Sequence, residues 1–276
     1  MQPFDRVIVV DWSAAGTPSP ARPSADAIWI GEASASGEAV TYHRTRHAAE
    51  AALHVHLAKG DRLLIGFDFP MGYPQGFAAR LTGQAKASAV REWLADAIED
   101  GADNRNNRFA VAARMNRMIG GNGPFWGCPS TCVEPGLSPR KTARYDALGL
   151  AERRVVETVV PRAQPVWKLF TTGSVGSQSL MGLPVVHRLG LPVWPFDPPA
   201  PVMVAEIYPS LLAGAVTREG GIKDAAQVRL LARALWRLSR GGQLVGLFEV
   251  PDVAREEGWI LGAGHAPLLT EALAWA

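Results

Sequence analysis

The chain has 276 residues, of which 47% are hydrophobic and 20% are charged, and this balance excludes an intrinsically disordered protein. The formal net charge of +2 excludes the strongly basic composition typical of proteins that bind duplex nucleic acid along one face. The sequence lacks a run of roughly 18 apolar residues that could cross a bilayer, and its start does not have the pattern of a secretory signal. We therefore expect a cytoplasmic protein without a membrane partner.

The first 70 residues predict the element order β-β-β-α-β. Apolar, β-branched runs indicate the first and last of these strands, and the turn at Ser36-Gly37 indicates an antiparallel hairpin between the second and third. A helix that ends at Gly60 returns the chain to a strand beside the first, by a crossover that is right-handed by default. The predicted strands cover residues 6–11, 27–31, 39–43 and 62–68, and the predicted helix covers residues 48–59.

The middle of the chain differs in character, because Gly- and Pro-rich loops separate its predicted helices. After it, the pattern predicts a strand, a long helix with an apolar stripe and a last strand. We interpret the sequence as a single α/β domain over residues 1–276, with a core at about 5–75 and 200–250 and a mostly helical and irregular insertion at about 76–199. The helices of the insertion are predicted at 85–98 and 108–118, and the later elements at 202–207, 224–239 and 243–248.

Three of the predicted strands end in an acidic residue, and a fourth acid opens the last long helix. Functional groups in open α/β sheets gather beyond the strand ends, so we expect these acids to form a catalytic group, with the first two close together on adjacent strands. Clustered carboxylates repel one another, and a divalent cation such as Mg²⁺ or Mn²⁺ offsets that repulsion and supports phosphoryl chemistry. The four residues are Asp11, Asp68, Glu206 and Asp224.

Each acid also has a purely structural interpretation. Asp11 could cap the loop after its strand, and Asp68 could bond backbone amides at the turn that follows. Glu206 could pair with one of the many arginines. Asp224 and Gln227 have the spacing of a helix capping box, in which each side chain bonds a backbone N–H of the other residue.

The order of these elements and acids resembles the RNase H-like superfamily, and within it the predicted-nuclease group called domain of unknown function 429. The resemblance covers the two core regions and implies a mixed five-stranded sheet flanked by helices. It further implies that Asp11, Asp68 and Asp224 are ligands of Mg²⁺ or Mn²⁺, and that Glu206 is a further site acid. The matching stretches are VVDWS at residues 9–13, IGFDFPMG at 65–72, AEIYPS at 205–210 and KDAAQV at 223–228.

One position departs from the pattern of this superfamily. Resolvase-like members often carry a second acid three residues after the acid of the last helix, and here that position is Gln227. Either two-metal chemistry is weakened, or Glu206 substitutes for the missing acid.

Two further segments are candidates for substrate binding. The polar run after Lys168 contains Thr172 and Ser174, whose hydroxyl groups and neighbouring amides could hold a phosphate, although the run is not a P-loop. The Arg- and Asn-rich run at 104–117 contains Arg114, which could bind substrate phosphates. A packed surface loop and a solvated helix face are the respective alternatives. The aromatic groups at 125–126 and 194–196 could stack on bases, with core packing as the alternative.

Three functions remain open at this point. The first is a divalent-metal-dependent phosphodiester hydrolase, a nuclease, with nucleic acid as partner. The second is a binding protein that has kept the fold and lost catalysis, for which Gln227 is the indication. The third is an enzyme that acts on a small phosphate-bearing molecule or nucleotide. The sequence leaves the substrate and the oligomeric state open.

Overall fold

The computed structural model describes residues 1–120, 122–160 and 162–275, and within these ranges six strands form one mixed sheet. The strands are β1 (Arg6–Asp11), β2 (Ile28–Ser34), β3 (Gly37–His43), β4 (Leu63–Phe67), β5 (Val193–Trp194) and β6 (Val202–Glu206). Their order across the sheet is β3-β2-β1-β4-β6-β5. The pairs within β1 to β3 are antiparallel, whereas the pairs that connect β1, β4, β6 and β5 are parallel.

Helices cover both faces of this sheet. They are α1 (Arg46–Leu57), α2 (Phe77–Thr82), α3 (Ala87–Ala97), α4 (Arg108–Ile119), α5 (Tyr145–Leu148), α6 (Val156–Val159), α7 (Val175–Leu189), α8 (Ala213–Glu219), α9 (Lys223–Arg240), α10 (Ala254–Glu257) and α11 (Ala266–Ala272), with 3₁₀ helices at Pro209–Leu212 and Leu244–Phe248. In the described ranges, no helix combines the length and the apolar character needed to cross a membrane.

The side chains of β1 alternate between two hydrophobic clusters, because successive residues of a strand point to opposite faces of the sheet. Ile8 and Val10 pack with residues of α1, α4 and α7, whereas Val7 and Val9 pack with residues of α9. All four side chains are fully buried, so the polar residues of this strand lie only at its two ends, which are Arg6 and Asp11. Asp11 is the polar residue at the carboxyl end.

A close backbone approach fixes α9 on the sheet. A Cβ atom added to Gly31 on β2 would lie 2.5 Å from the carbonyl carbon and oxygen of Val228 on α9. Only glycine permits that separation, since real Cβ atoms do not approach backbone atoms so closely. This contact matters for the site described below, because the first turn of α9 carries Asp224.

We expect Gly31→Ala to displace α9 and to lower the free energy of unfolding by about 3 kcal/mol, the upper end of the usual cost of overpacking. Urea denaturation measures the change. Gly246→Ala is a matched control, because a Cβ atom there meets no atom within 4 Å. Equal effects of the two substitutions would show that the approach of α9 to β2 does not constrain the fold.

The structure confirms the predicted α/β class and places strands and helices near most of the predicted ranges. The prediction of five strands was wrong, since β5 adds a two-residue parallel edge strand beside β6. The predicted strand at 243–248 was also wrong. That segment is a 3₁₀ helix in which Leu244 and Leu247 are buried and Val245 is 52% exposed, a spacing of three residues instead of the alternation of a strand. The division into a core and an insertion stays a prediction.

The sequence also failed to indicate α7, because this helix contains Gly176, Gly182 and Pro184, which disfavour helices. Tertiary packing compensates for that composition. Gly182 leaves space for the ring of Phe69, which a Cβ atom would overlap, and most of the helix is buried. The helix begins within the polar run at 171–179 that was considered for phosphate binding.

Candidate functional site

A cavity of about 600 Å³ opens at the carboxyl end of β1. Its walls come from five separate parts of the chain, which are the end of β1, the residue Asp26 before β2, the start of α4, the segment that leads into α7 and the first turn of α9. The residues that line it include Asp11, Asp26, Arg108, Phe170, Thr172, Ser174, Gln178, Lys223, Asp224 and Gln227. Gln178 on α7 donates a hydrogen bond from Nε2 to the carbonyl oxygen of Trp12, which ties this wall to the end of β1.

Asp11 lies at the centre of the acidic part of the cavity. Burial raises the pKa of Asp11 well above its ordinary value, and the carboxylates of Asp68, Asp224 and Asp26 raise this pKa further. Lys223 lowers this pKa, by less than Asp68 or Asp224 raises it. Three acidic side chains and two cationic ones line the cavity.

Two of these carboxylates accept hydrogen bonds from backbone N–H groups near the cavity. Asp68 Oδ1 accepts a hydrogen bond from the backbone N–H of Trp12 at 2.8 Å, and Asp224 Oδ2 accepts one from the N–H of Asp26 at 2.7 Å. Asp68 thus bonds a backbone amide, but on the neighbouring strand segment instead of its own turn. The capping box considered for Asp224 and Gln227 is not formed, because the N-cap of α9 is Ile222 and has no side-chain hydrogen bond.

The structure confirms that Asp11 and Asp68 come from adjacent strands at the same end of the sheet. β1 and β4 pair in parallel with Val10 opposite Phe67, so the two acids follow at equivalent positions. Burial raises the pKa of Asp68 to about 7, against the lowering effect of its bond to the Trp12 N–H. Burial likewise raises the pKa of Asp224.

These shifts predict a pH dependence of stability in the absence of divalent cations. A carboxyl group whose pKa is about 7 in the folded protein and 3.8 ordinarily binds its proton more tightly when folded. Its contribution to stability is therefore complete below about pH 4 and is lost as the pH rises through about 7. From pH 5 to pH 8, we expect the free energy of unfolding to fall by about 2 kcal/mol more in the wild type than in Asp68→Asn. Urea denaturation at both pH values tests this, and identical decreases would contradict it.

Glu206 is not among the residues that line the cavity. Its carboxylate forms two hydrogen bonds with the guanidinium of Arg154, at 2.6 and 2.7 Å, and also accepts the backbone N–H of Met71 at 2.9 Å. Arg154 binds Glu157 as well, at 2.9 Å, and all three ionic side chains are buried. Glu206 thus has the arginine partner that its structural interpretation required, and its charge is neutralised away from the acids of the cavity.

Of the four predicted substrate-binding residues, two line the cavity and two do not. Thr172 and Ser174 line the cavity, in the loop before α7. Lys168 does not line it, because its Nζ donates to the carbonyl oxygen of Thr172 at 2.6 Å and lies over the ring of Trp126. Arg114 is exposed elsewhere on α4, where its guanidinium lies over the ring of Trp93.

Several cavity residues were not predicted from the sequence. Asp26 precedes β2 with φ at +58°, a conformation that Asp tolerates better than most residues and that a local pattern does not reveal. Arg108 belongs to the Arg- and Asn-rich run, which was the correct segment, but it is the first residue of α4 instead of a residue in its middle. Phe170 and Lys223 carried no signal that distinguished them from their neighbours.

The donor chemistry of the cavity suits a hard divalent cation, because its polar side chains offer carboxylate, hydroxyl and amide oxygens. Among the described residues, however, no three Asp, Glu, His or Cys side chains are arranged as a ready coordination shell. Mg²⁺ is commonly held by one or two carboxylates, with waters and substrate phosphates as its other ligands. The cavity fits that open arrangement, because Asp11, Asp26 and Asp224 are the carboxyl groups that line it.

Comparisons with protein-family models, with curated proteins and with solved structures found no match to this chain.

Proposed function

We propose that this chain is an RNase H-like, divalent-metal-dependent hydrolase that cleaves phosphodiesters, a nuclease. The observation that carries the proposal is the position of Asp11, which lies close enough to the carboxyl groups of Asp68, Asp224 and Asp26 that they raise its pKa, in a cavity that Arg108 also lines. The sheet order supports the resemblance, since three antiparallel strands continue into parallel strands across β1 and β4. Acids at the ends of those two strands are what the resemblance implies.

Each residue of the cavity has a distinct role in this proposal. Asp11 and Asp224 hold Mg²⁺ or Mn²⁺ from two walls, and Asp68 supports Asp11 from the neighbouring strand as the third acid. The bond from the Trp12 N–H holds the Asp68 carboxyl group beside the end of β1, from where it would support the cation site. When bound, the cation supplies a Lewis acid for the phosphoryl oxygens and activates water. Arg108 neutralises charge on the phosphate that is cleaved.

A binding protein without catalysis is the second candidate. The buried side chain of Gln227 lines the cavity where the resemblance implies an acid, and a neutral amide contributes less to cation binding than a carboxylate. This candidate predicts ligand binding without turnover.

A cation titration combined with a substrate panel tests the proposal. We expect Mn²⁺ to raise Tm, because it binds the folded site and relieves carboxylate repulsion. We expect cleavage of a single-stranded oligonucleotide or a dinucleotide to require Mn²⁺ or Mg²⁺ and to stop when a chelator is added. Ligand binding without cleavage of any phosphodiester would favour the second candidate. The absence of any Tm shift with Mn²⁺ would contradict the cation as Lewis acid and as activator of water.

A further inference from the structure

One wall of the cavity carries an exposed aromatic side chain. Phe170 is 39% exposed and lines the cavity, whereas the aromatic groups that the sequence suggested for base stacking are largely committed to packing. Phe125 and Trp194, for example, are 1% and 2% exposed. A single exposed apolar side chain is ordinary in proteins, so its significance depends on how it is held and on what surrounds it.

The backbone on both sides of Phe170 keeps the ring out of the core. The preceding residue, Leu169, is buried, and its N–H donates to the carbonyl oxygen of Trp126 at 2.9 Å. The following residue, Thr171, has φ at +72°, a left-handed conformation that is unfavourable for a β-branched residue. The chain is thus fixed at Leu169 and turns sharply at Thr171. The ring of Phe170, which lies between them, is left at the cavity.

Phe170 is 39% exposed and pairs with one aromatic neighbour among the described residues. Its neighbour Phe109 lies with ring centroids 6.4 Å apart and an interplanar angle of 76°, an edge-on arrangement. The exposed part of the Phe170 ring lies at the cavity, where it can contact a planar ring of a ligand.

A cation lies beside this aromatic pair. The guanidinium of Arg108 is 4.3 Å from the ring centroid of Phe109 and also lines the cavity. It donates to two neutral acceptors, Ser177 Oγ at 3.1 Å and Asn106 Oδ1 at 2.7 Å. Within the described part of the chain, no carboxylate forms an ion pair with Arg108. Its positive charge is therefore available to an anionic ligand.

We propose that the cavity binds a nucleotide unit, with the phosphate at Arg108 and the base stacked on Phe170. This inference rests on the proposed function and names the substrate class of the same site. A phosphate bound at Arg108 would lie in the cavity that the acids also line. The cavity volume of about 600 Å³ is typical of sites for small molecules. The net charge of +2 does not provide the basic surface that duplex binding requires. A free nucleotide and the end of a single strand offer this same unit.

Paired ligands and paired substitutions test the role of Phe170. The probes are adenosine 5′-monophosphate and ribose 5-phosphate, titrated calorimetrically into the full chain at a constant Mn²⁺ concentration. We expect the wild type to bind the nucleotide about tenfold more tightly than the sugar phosphate, the lower range of base stacking on an aromatic side chain. Phe170→Leu keeps an apolar side chain without a π-face and should remove this preference. Phe170→Tyr should keep it, and neither substitution should change ribose 5-phosphate binding.

A single-stranded deoxyoligonucleotide in the same titration distinguishes the two sources of the nucleotide unit. Tighter binding than the mononucleotide, again reduced by Phe170→Leu, identifies a strand end, and weaker or equal binding identifies a free nucleotide. Equal affinity of the wild type for the two small probes would overturn the inference, as would a preference that survives in Phe170→Leu. Failure of the proposed function would give a different result, in which Mn²⁺ still raises Tm in Asp11→Asn.

Discussion

Replacing Asp11 by Asn is expected to remove the rise in Tm that Mn²⁺ produces in the wild type and to reduce phosphodiester cleavage by more than about a hundredfold. The loss of a residue that only orients a metal ligand already costs about 10- to 100-fold. The substitution keeps the size of the side chain and removes the carboxyl group whose pKa Asp68, Asp224 and Asp26 raise. Without a cation, Tm should be equal or higher in the variant, because one repelling carboxylate is gone.

The control for this experiment is Asp252→Asn, which neutralises an exposed acid outside the cavity. It should leave both the cation response and activity unchanged. An Asp11→Asn protein that melts at a lower temperature yet keeps the full Mn²⁺ shift would mean that Asp11 is a loop cap. In that case, the proposed cation site would lose its central residue.

The second large effect is expected for Arg154→Met, which should lower the free energy of unfolding by about 3 to 5 kcal/mol. The guanidinium binds both Glu206 and Glu157, and all three side chains are buried. Its removal leaves two buried carboxylates without a counter-charge, which costs much more than the loss of an exposed ion pair. Urea denaturation measures this change, and Arg162→Met, at an exposed position, provides the matched control.

A double substitution tests the assignment of Glu206. Adding Glu206→Gln to Arg154→Met should recover part of the lost stability, because it removes one of the unpaired charges. Glu206→Gln alone should destabilise the protein but preserve the Tm shift produced by Mn²⁺. A cation response that disappears in Glu206→Gln would instead place this residue in the cation site and restore the role that the resemblance implies.

The sequence predicted the acids at strand ends better than any other part of the site. Asp11 and Asp68 follow buried apolar runs, and parallel pairing of those strands brings their ends together whatever the loops do. Asp224 was identified because it opens a long amphipathic helix. Glu206 satisfies the same rule, and only its buried partner Arg154, 52 residues earlier in the chain, shows that its charge is used elsewhere.

Side chains that reach the cavity from loops and helix faces could not be assigned in this way. Arg108 and Arg114 are six residues apart on α4, so their side chains point about 120° apart around the helix axis, and only the first lines the cavity. The local sequence has no information about which face the core selects. Asp26 depends on a bond between its N–H and Asp224, which is 198 residues away.

The sheet order has a consequence for the synthesis of the chain from its N-terminus. β5 pairs with β6, which follows it in the sequence, and β6 in turn pairs with β4. The far edge of the sheet therefore cannot form until residues 202–206 have been made, and the acidic cavity is incomplete until Asp224 follows. During synthesis, the segments that carry Asp11 and Asp68 are made long before the wall that α9 supplies. Under the proposed function, the cation site would be complete only after residue 224 has been made.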